Sequence, residues 1–258
     1  MSAVLLSVRD LSVTYGERRV SFIPEITVEA GECVAIVGES GSGKTSALLA
    51  LLGLQPGAHV TGSVNMFDVV DVLDDPARIS GLLGRKVALV SQSPISALNP
   101  TMRIGKFAEA VLRKHGRTKA QAREQVVEAL AAVALNESVL RRYPHQISGG
   151  QAQRFAIALA LSLGVELIVA DEPTSALDVT VQADIVTLLE SLRRDRGLGM
   201  LIVSHDIALV SGFADHVIVM KDGEVVESGT VHEVIGSPTT DYARALIDAV
   251  PHLDRSVL

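Results

Sequence analysis

The hydrophobic and polar positions of this 258-residue chain follow two different periods. Between Leu5 and Glu32, apolar and polar residues alternate around turn residues such as Tyr15-Gly16, which predicts antiparallel strands. A short apolar run, Cys33–Val37, is followed by the glycine- and serine-rich segment Gly38–Gly43 and by a helical pattern over Lys44–Leu54. A strand, a loop and a helix in this order predict the start of an α/β unit.

In the middle of the chain, most apolar residues have the spacing of an α-helix. A strand at Val87–Val90 leads into the loop Ser91–Pro100. From about Met102 to Leu163, apolar residues recur three and four positions apart, as on one face of a helix. We therefore predict a helical subdomain, residues 92–163, inserted into an α/β core.

Strand and helix patterns alternate again in the last third of the chain. The Asp222-Gly223 pair is typical of a two-residue β-hairpin turn. The predicted elements around it are the strands Leu167–Ala170, Met200–Ser204, Val217–Lys221 and Glu224–Glu227 and the helices Val179–Arg194, Val231–Ile235 and Asp241–Ala249. The predicted fold class is α/β, a mostly parallel sheet flanked by helices, with an N-terminal antiparallel β subdomain, in one domain over residues 1–258.

Composition narrows the class of protein. Hydrophobic residues make up 48% of the chain and aromatic residues only 3%, so the core must be mostly aliphatic, as in buried parallel sheets. The formal net charge of -7 and the absence of a long basic run argue against nucleic acid as the main partner. Cys33 is the single cysteine, which excludes an intrachain disulfide, fits a reducing compartment and predicts a small core residue.

No segment of the sequence predicts a membrane span or a secretory signal. Met1–Arg9 lacks the charged and apolar regions of a signal. The longest apolar stretch, Phe155–Ala170, contains Ser162, Gly164 and Glu166 and is shorter than the ~20 apolar residues of a spanning helix. We expect a core helix followed by a core strand there, and a cytosolic protein.

The segment after Cys33–Val37 matches a phosphate-binding loop. Its glycines permit backbone angles that turn several N–H groups toward one anion, and the next helix adds its positive end. Lys44 would reach the β- and γ-phosphates of ATP, and the Thr45 hydroxyl would ligate Mg²⁺. A glycine-rich turn with a chance lysine is the alternative, which the position between a strand and a helix disfavours. The predicted P-loop NTPase core binds nucleotide through Gly38, Glu39, Ser40, Gly41, Ser42, Gly43, Lys44, Thr45 and Ser46.

Two acidic residues end the apolar strand Leu167–Ala170. Asp171 would hold the magnesium ion through a water molecule, and Glu172 would polarise the attacking water as general base. Ordinary surface charges are an equally good interpretation of two adjacent acids at a strand end, so this segment alone leaves both open.

The segment Ile-Ser-Gly-Gly-Gln at residues 147–151 resembles the L-S-G-G-Q signature of ABC transporter nucleotide-binding domains. Ser148 can cap a helix that runs to Leu163, and the two glycines let the backbone approach a phosphate. One domain does not need two anion cradles. The resemblance implies that this one serves the ATP of a partner subunit, in a dimer with two ATP molecules between the chains. The residues implied to act in trans are Ser148, Gly149, Gly150, Gln151 and Asp178.

Other positions match the pattern of the same family. The resemblance implies that Gln92 senses Mg²⁺ and the transmembrane partner, that His205 contacts the γ-phosphate and that Tyr15 stacks on adenine. Ser175–Asp178 resembles the D-loop, which lines the dimer interface. Each position alone has an ordinary structural explanation, but their order along the chain makes coincidence negligible. The implied catalytic residues are Glu172, His205 and Gln92, and the implied metal ligands are Thr45, Gln92 and Asp171.

Finer features resemble the oligopeptide, dipeptide and nickel importer subfamily. They are Ser96–Pro100, Tyr143–His145, Asp178–Gln182 and Asp241–Leu246. The resemblance implies a peripheral subunit on the cytoplasmic face of the membrane, paired with a second ABC ATPase subunit. It implies separate transmembrane permease subunits and, indirectly, an extracytoplasmic substrate-binding protein.

The substrate stays open between peptides and nickel or other metal chelates. Many peptide-importing members continue with a C-terminal extension, whereas this chain ends at Leu258, as nickel-type members tend to. The alternative function is a soluble ABC-type ATPase of DNA repair or translation. The sequence disfavours it, because no long heptad segment and no zinc-type cysteine pairs occur.

Overall fold

The computed structural model of the chain describes residues 3–250, and predictions that involve Met1 or Leu258 lie outside that range. The described chain divides into two compact units. The first unit holds the residues up to Gly81 and those from Leu192 onward, and the second holds Leu82–Ser191. None of the helices within residues 3–250 is long and apolar enough to cross a membrane.

The strands and helices agree with the predicted ones to within a few residues at most ends. The sequence does not predict the strand at residues 59–66 or the short helices at residues 76–82, 94–97 and 207–211. The first helix ends at Leu51 rather than at Leu54, because Gly53 takes a left-handed conformation there. In chain order the elements are β1 (Val4–Tyr15), β2 (Arg18–Glu29), β3 (Cys33–Val37), α1 (Lys44–Leu51), β4 (His59–Met66), α2 (Pro76–Leu82), β5 (Val87–Val90), α3 (Pro94–Ala97), α4 (Ile104–Lys114), α5 (Lys119–Ala132), α6 (Gly149–Leu163), β6 (Leu167–Asp171), α7 (Val179–Arg196), β7 (Gly199–Ser204), α8 (Ile207–Ser211), β8 (His216–Lys221), β9 (Glu224–Thr230), α9 (Val231–Gly236) and α10 (Asp241–Asp248).

The first unit contains a sheet with the strand order β4-β1-β2-β9-β8-β3-β7. β1 pairs antiparallel with β2 and β4, which confirms the predicted N-terminal antiparallel strands. β3 pairs in parallel with both β7 and β8. β8 and β9 form the predicted hairpin, and both turn residues, Asp222 and Gly223, have the positive φ that such a turn requires.

Strand β3 is buried along its whole length and positions the first group of candidate residues. Cys33 is fully buried, as predicted, and burial raises the pKa of its thiol. Val37 at the end of β3 and Ser204 at the end of β7 are register partners. Because neighbouring parallel strands end at the same edge of a sheet, the residues that follow them, Gly38 and His205, lie at one edge.

The second unit contains the parallel pair β5 and β6 and the helices α3 to α6. α5 packs against both α4 and α6. Val90 and Ala170 are register partners near the ends of the two strands, so Gln92 and Glu172 follow neighbouring strand ends. The predicted helical region 92–163 lies inside this unit, and its bounds as a subdomain stay a prediction.

Candidate nucleotide-binding site

The phosphate loop joins β3 to α1 and has an unusual backbone. Gly38, Gly41 and Gly43 have φ values of 153°, 85° and 95°, which residues with a side chain rarely adopt. Gly43 is the N-cap residue of α1. A glycine has no side chain that could compete with an anion for the N–H groups of the first helical turn. The backbone of this segment is therefore compatible with the predicted binding of an anion.

The ammonium group of Lys44 lies inside this loop. Its Nζ donates hydrogen bonds to the carbonyl oxygens of Gly38 at 2.8 Å and Glu39 at 2.7 Å, and to the Ser42 hydroxyl at 3.3 Å. Only 4% of the residue is exposed. A positive charge is thus held among the loop's own neutral oxygen atoms, and the anionic oxygens of a triphosphate can compete for it as stronger acceptors.

Distant elements of the first unit contact the loop and leave no room for a side chain at Gly38 or Gly43. A Cβ atom at Gly38 would lie 2.1 Å from the carbonyl oxygen of Met220, and one at Gly43 would lie 2.4 Å from that of Val20. The N–H of Gly223, in the β8–β9 turn, donates to the Ser42 carbonyl at 3.1 Å. Sequence reasoning missed these supports, because a turn signal does not say which loop the turn packs on.

Tyr15 and His205 are the other predicted site residues of the first unit. Tyr15 is the last residue of β1 and is 37% exposed, which is compatible with the predicted stacking on adenine. His205 is exposed directly after β7, and its neighbour Asp206 caps α8 by accepting a hydrogen bond from the N–H of Leu209 at 3.0 Å. The roles of both residues stay predictions.

Gln92 and Glu172 meet in the second unit. The Gln92 amide donates to the Glu172 carboxylate at 3.1 Å and to the Ser175 hydroxyl at 3.0 Å. Glu172 has a φ of 44°, a left-handed conformation that is uncommon for residues with a side chain and frequent at functional positions. The general base proposed from sequence therefore has its carboxylate oriented by an amide, directly after the half-buried Asp171 that ends β6.

The signature segment forms the predicted helix N-terminus. The Ser148 hydroxyl accepts from the Gln151 N–H at 3.2 Å, and the Gln151 side chain accepts from the Ser148 N–H at 3.2 Å. This reciprocal capping box starts α6 at Gly149, which confirms the helix predicted from Ser148 to Leu163. Ser148 and Gly149 are exposed, so the segment is accessible to a ligand.

The D-loop lies next to the signature in the same unit. A Cβ atom at Gly149 would lie 3.2 Å from the Leu177 side chain, and one at Gly150 would lie 2.6 Å from that of Val181. The Asp178 carboxylate accepts from the Val181 N–H at 3.0 Å, as an N-cap does. Asp178 thus has a local structural role, and its role toward a partner's ATP stays a prediction.

The predicted magnesium ligands supply few oxygen atoms. Within residues 3–250, no group of three or more His, Cys, Asp or Glu side chains is placed to hold a metal ion. The predicted donors are a hydroxyl, an amide and a carboxylate, from Thr45, Gln92 and Asp171. Mg²⁺ keeps several waters and binds through one or two protein oxygens plus substrate phosphates, so this donor set fits an ion held mainly by ATP.

Comparison with known proteins gives consistent matches. Residues 24–175 match the family model described as ABC transporter. The oligopeptide transport ATP-binding protein OppD of Salmonella typhimurium is 40% identical over 259 residues, covering 97% of this chain and 77% of that protein. The dipeptide transport ATP-binding protein DppD of Haemophilus influenzae is 38% identical, covering 96% of this chain and 78% of that protein.

The fold also matches solved structures. A dimeric ATP-binding cassette in a post-hydrolysis state, bound to ADP and Pi, superposes with a TM-score of 0.77 at 30% identity. The match covers 88% of this chain and 99% of that cassette. The predicted α/β class and its nucleotide-binding core are therefore confirmed.

Proposed function

The chain belongs to the ABC transporter family, and from this premise we propose that it binds and hydrolyses ATP to power the import of peptides through a membrane. One observation carries the proposal: two separate glycine-rich segments each begin a helix, the phosphate loop at the Gly43 N-cap of α1 and the signature at the Ser148 capping box of α6. The relatives named above are oligopeptide and dipeptide transport proteins, which favours peptides over nickel or metal chelates. These relatives do not favour the alternative function, a soluble ABC-type ATPase of DNA repair or translation.

In the proposed reaction, a water molecule attacks the γ-phosphorus and the bond to the ADP oxygen breaks. The phosphate loop and Lys44 hold the triphosphate, Tyr15 stacks on adenine, and His205 contacts the γ-phosphate. Glu172 accepts the proton of the attacking water, and the Gln92 amide keeps its carboxylate in position. Magnesium, when bound, neutralises charge on the phosphates.

The test of the chemistry is Glu172→Gln in the purified protein. This change keeps the shape of the side chain but removes the proton acceptor, so ATP hydrolysis should slow by ~10²–10⁴-fold while ATP still binds. Glu128→Gln, on the exposed face of α5, makes the same chemical change away from the site and is the control. Hydrolysis at the parental rate in Glu172→Gln would exclude this residue as the base.

The proposed partners are a second ATPase subunit, permease subunits and, through them, an extracytoplasmic binding protein, with this chain on the cytoplasmic face. The related cassette is a dimer in its solved structure. The second unit has a cleft of about 640 Å³ beside α4 and α5, with Ala122 and Val126 inside and Glu109 and Arg123 among its charged groups. An apolar cleft with charged groups fits a short amphipathic segment of a permease.

Crosslinking tests this docking site. Cysteines placed at Glu109 or Arg123 should crosslink to cytoplasmic loops of the cognate permease in assembled complexes. A cysteine at Glu128, on α5 but outside the cleft lining, is the control. Crosslinks at Glu128 alone, in an active complex, would place the permease elsewhere.

A further inference from the structure

The last described helix, α10, contacts the phosphate loop. The Glu39 N–H donates a hydrogen bond to the phenol oxygen of Tyr242 at 3.2 Å, and the Glu39 carbonyl accepts from Lys44 at 2.7 Å. Both backbone groups of this loop residue are therefore bonded. We propose that Tyr242 is a positioning residue for the phosphate loop, which holds the Glu39 backbone and so couples α10 to nucleotide binding. The proposal rests on the proposed function to the extent that ATP is the nucleotide.

The ring of Tyr242 is itself fixed from two directions. The Lys221 ammonium lies 4.9 Å from the ring centroid, in the range of a cation–π contact. The other contacts are with a buried apolar cluster that includes Ala243 and Ile247 of the same helix. A tyrosine has few rotatable bonds, so a packed ring holds its hydroxyl in a defined place at low entropic cost.

The start of α10 is fastened to β9 through Glu227. Its carboxylate accepts hydrogen bonds from the N–H of Thr239 at 2.7 Å, from the N–H of Thr240 at 2.9 Å and from the Thr240 hydroxyl at 2.6 Å. Burial alone would raise the pKa of Glu227, but these hydrogen bonds outweigh it and the pKa is lowered. The Thr240 hydroxyl also caps α10 by accepting from the Ala243 N–H at 3.2 Å.

These contacts form one path from β9 to the loop. Glu227 fixes the helix start, the helix fixes Tyr242, and Tyr242 fixes the Glu39 backbone. Neither the glycine pattern of the loop nor the helical pattern around Asp241 indicates this contact, because its two residues are 203 positions apart. The path lies wholly within the first unit.

Tyr242→Phe is the test, since it removes the hydroxyl and keeps the packed ring. In the nucleotide-free protein the Glu39 amide should exchange its hydrogen faster, while amides of β3 exchange as before. The KM for ATP should rise about three- to tenfold, the size expected of one neutral hydrogen bond, with kcat within about twofold and a melting temperature lowered by no more than a few degrees. Tyr143→Phe in the second unit, which removes a phenol oxygen far from the loop in sequence, should leave Glu39 exchange unchanged.

Each result decides the proposal. Unchanged Glu39 exchange would show that Tyr242 only packs α10, whatever the KM does. Faster exchange with an unchanged KM would show that the hydrogen bond exists without affecting nucleotide binding, and would overturn the coupling. If the parental protein bound no ATP, the proposed function and the coupling to ATP would both fail, while amide exchange would still report whether Tyr242 holds the loop.

Discussion

The phosphate loop and the signature segment are both glycine-rich helix starts, but they are held in place by different means. Residues 38–43 are held by backbone from β2 and the β8–β9 hairpin and by Tyr242 of α10. Residues 148–151 are held by their own capping box, with side chains from the D-loop and α7 beside the glycines. One cradle is imposed by distant parts of its unit, and the other is formed mainly by neighbours in sequence.

The glycines of the two segments differ in backbone conformation and in the space available for a side chain. Gly43 needs a positive φ and has no space for a Cβ, so both the backbone and the packing exclude a side chain. Gly149 is the first residue of α6, and a Cβ atom there would lie 3.2 Å from the flexible Leu177 side chain and 4.0 Å from the Ala176 carbonyl oxygen. The exposed, locally supported signature segment is compatible with the predicted contact to a ligand of another chain, and the buried Lys44 with the predicted contact to the chain's own ligand.

The largest effect expected from this difference is recovery of activity in mixtures. Lys44→Ala and Ser148→Arg chains should each be inactive alone. A mixed dimer has one site with both defects and one site that combines the intact phosphate loop of one chain with the intact signature of the other. ATPase activity should therefore reappear on mixing, measured by phosphate release against each chain alone. If all mixtures stay inactive although the chains associate, the signature does not act in trans.

A smaller effect is expected from alanine at the glycines. Gly43→Ala combines backbone strain of about 1–3 kcal/mol with a clash against Val20. Gly41→Ala adds the strain alone, since no atom lies within 4 Å of its Cβ position. Gly149→Ala should change the free energy of unfolding by no more than about 1 kcal/mol. Denaturant titration should rank the losses of unfolding free energy in this order. Equal losses at Gly43 and Gly41 would show that the clash with Val20 does not contribute to the loss.

The smallest effect concerns the signature cap. Ser148→Ala should cost about 1 kcal/mol of unfolding free energy, the usual value for a lost N-cap. Thr118→Ala is the matched control, because Thr118 and Gln121 form the same capping box at the start of α5. Both variants should lose similar stability in denaturant titrations, but only Ser148→Ala should weaken ATP-dependent dimerisation, measured by size-exclusion chromatography. Equal dimerisation of the two variants would mean that Ser148 acts as a cap alone.

One strand and several short helices were not predicted, because their own sequences give only a weak signal. In β4 the apolar residues Val60, Val64 and Met66 alternate with polar ones, but Gly62 interrupts the alternation in the middle of the strand, so the pattern was missed. The short helices α3 and α8 span four and five residues, fewer than a hydrophobic period needs to be recognised. These elements form because the surrounding sheet and helices provide partners, which no window of sequence contains.

The sequence by itself determined the features that depend on neighbouring residues. The Asp222-Gly223 turn, the Ser148 cap and the glycines between β3 and α1 are each encoded within a few positions, because backbone angles and capping bonds are local properties. Only the tertiary structure decided that Gln92 holds Glu172 and that Tyr242 holds Glu39, across separations of 80 and 203 residues. Such contacts depend on which strands end beside each other and on where α10 packs, and both are settled when the whole core forms.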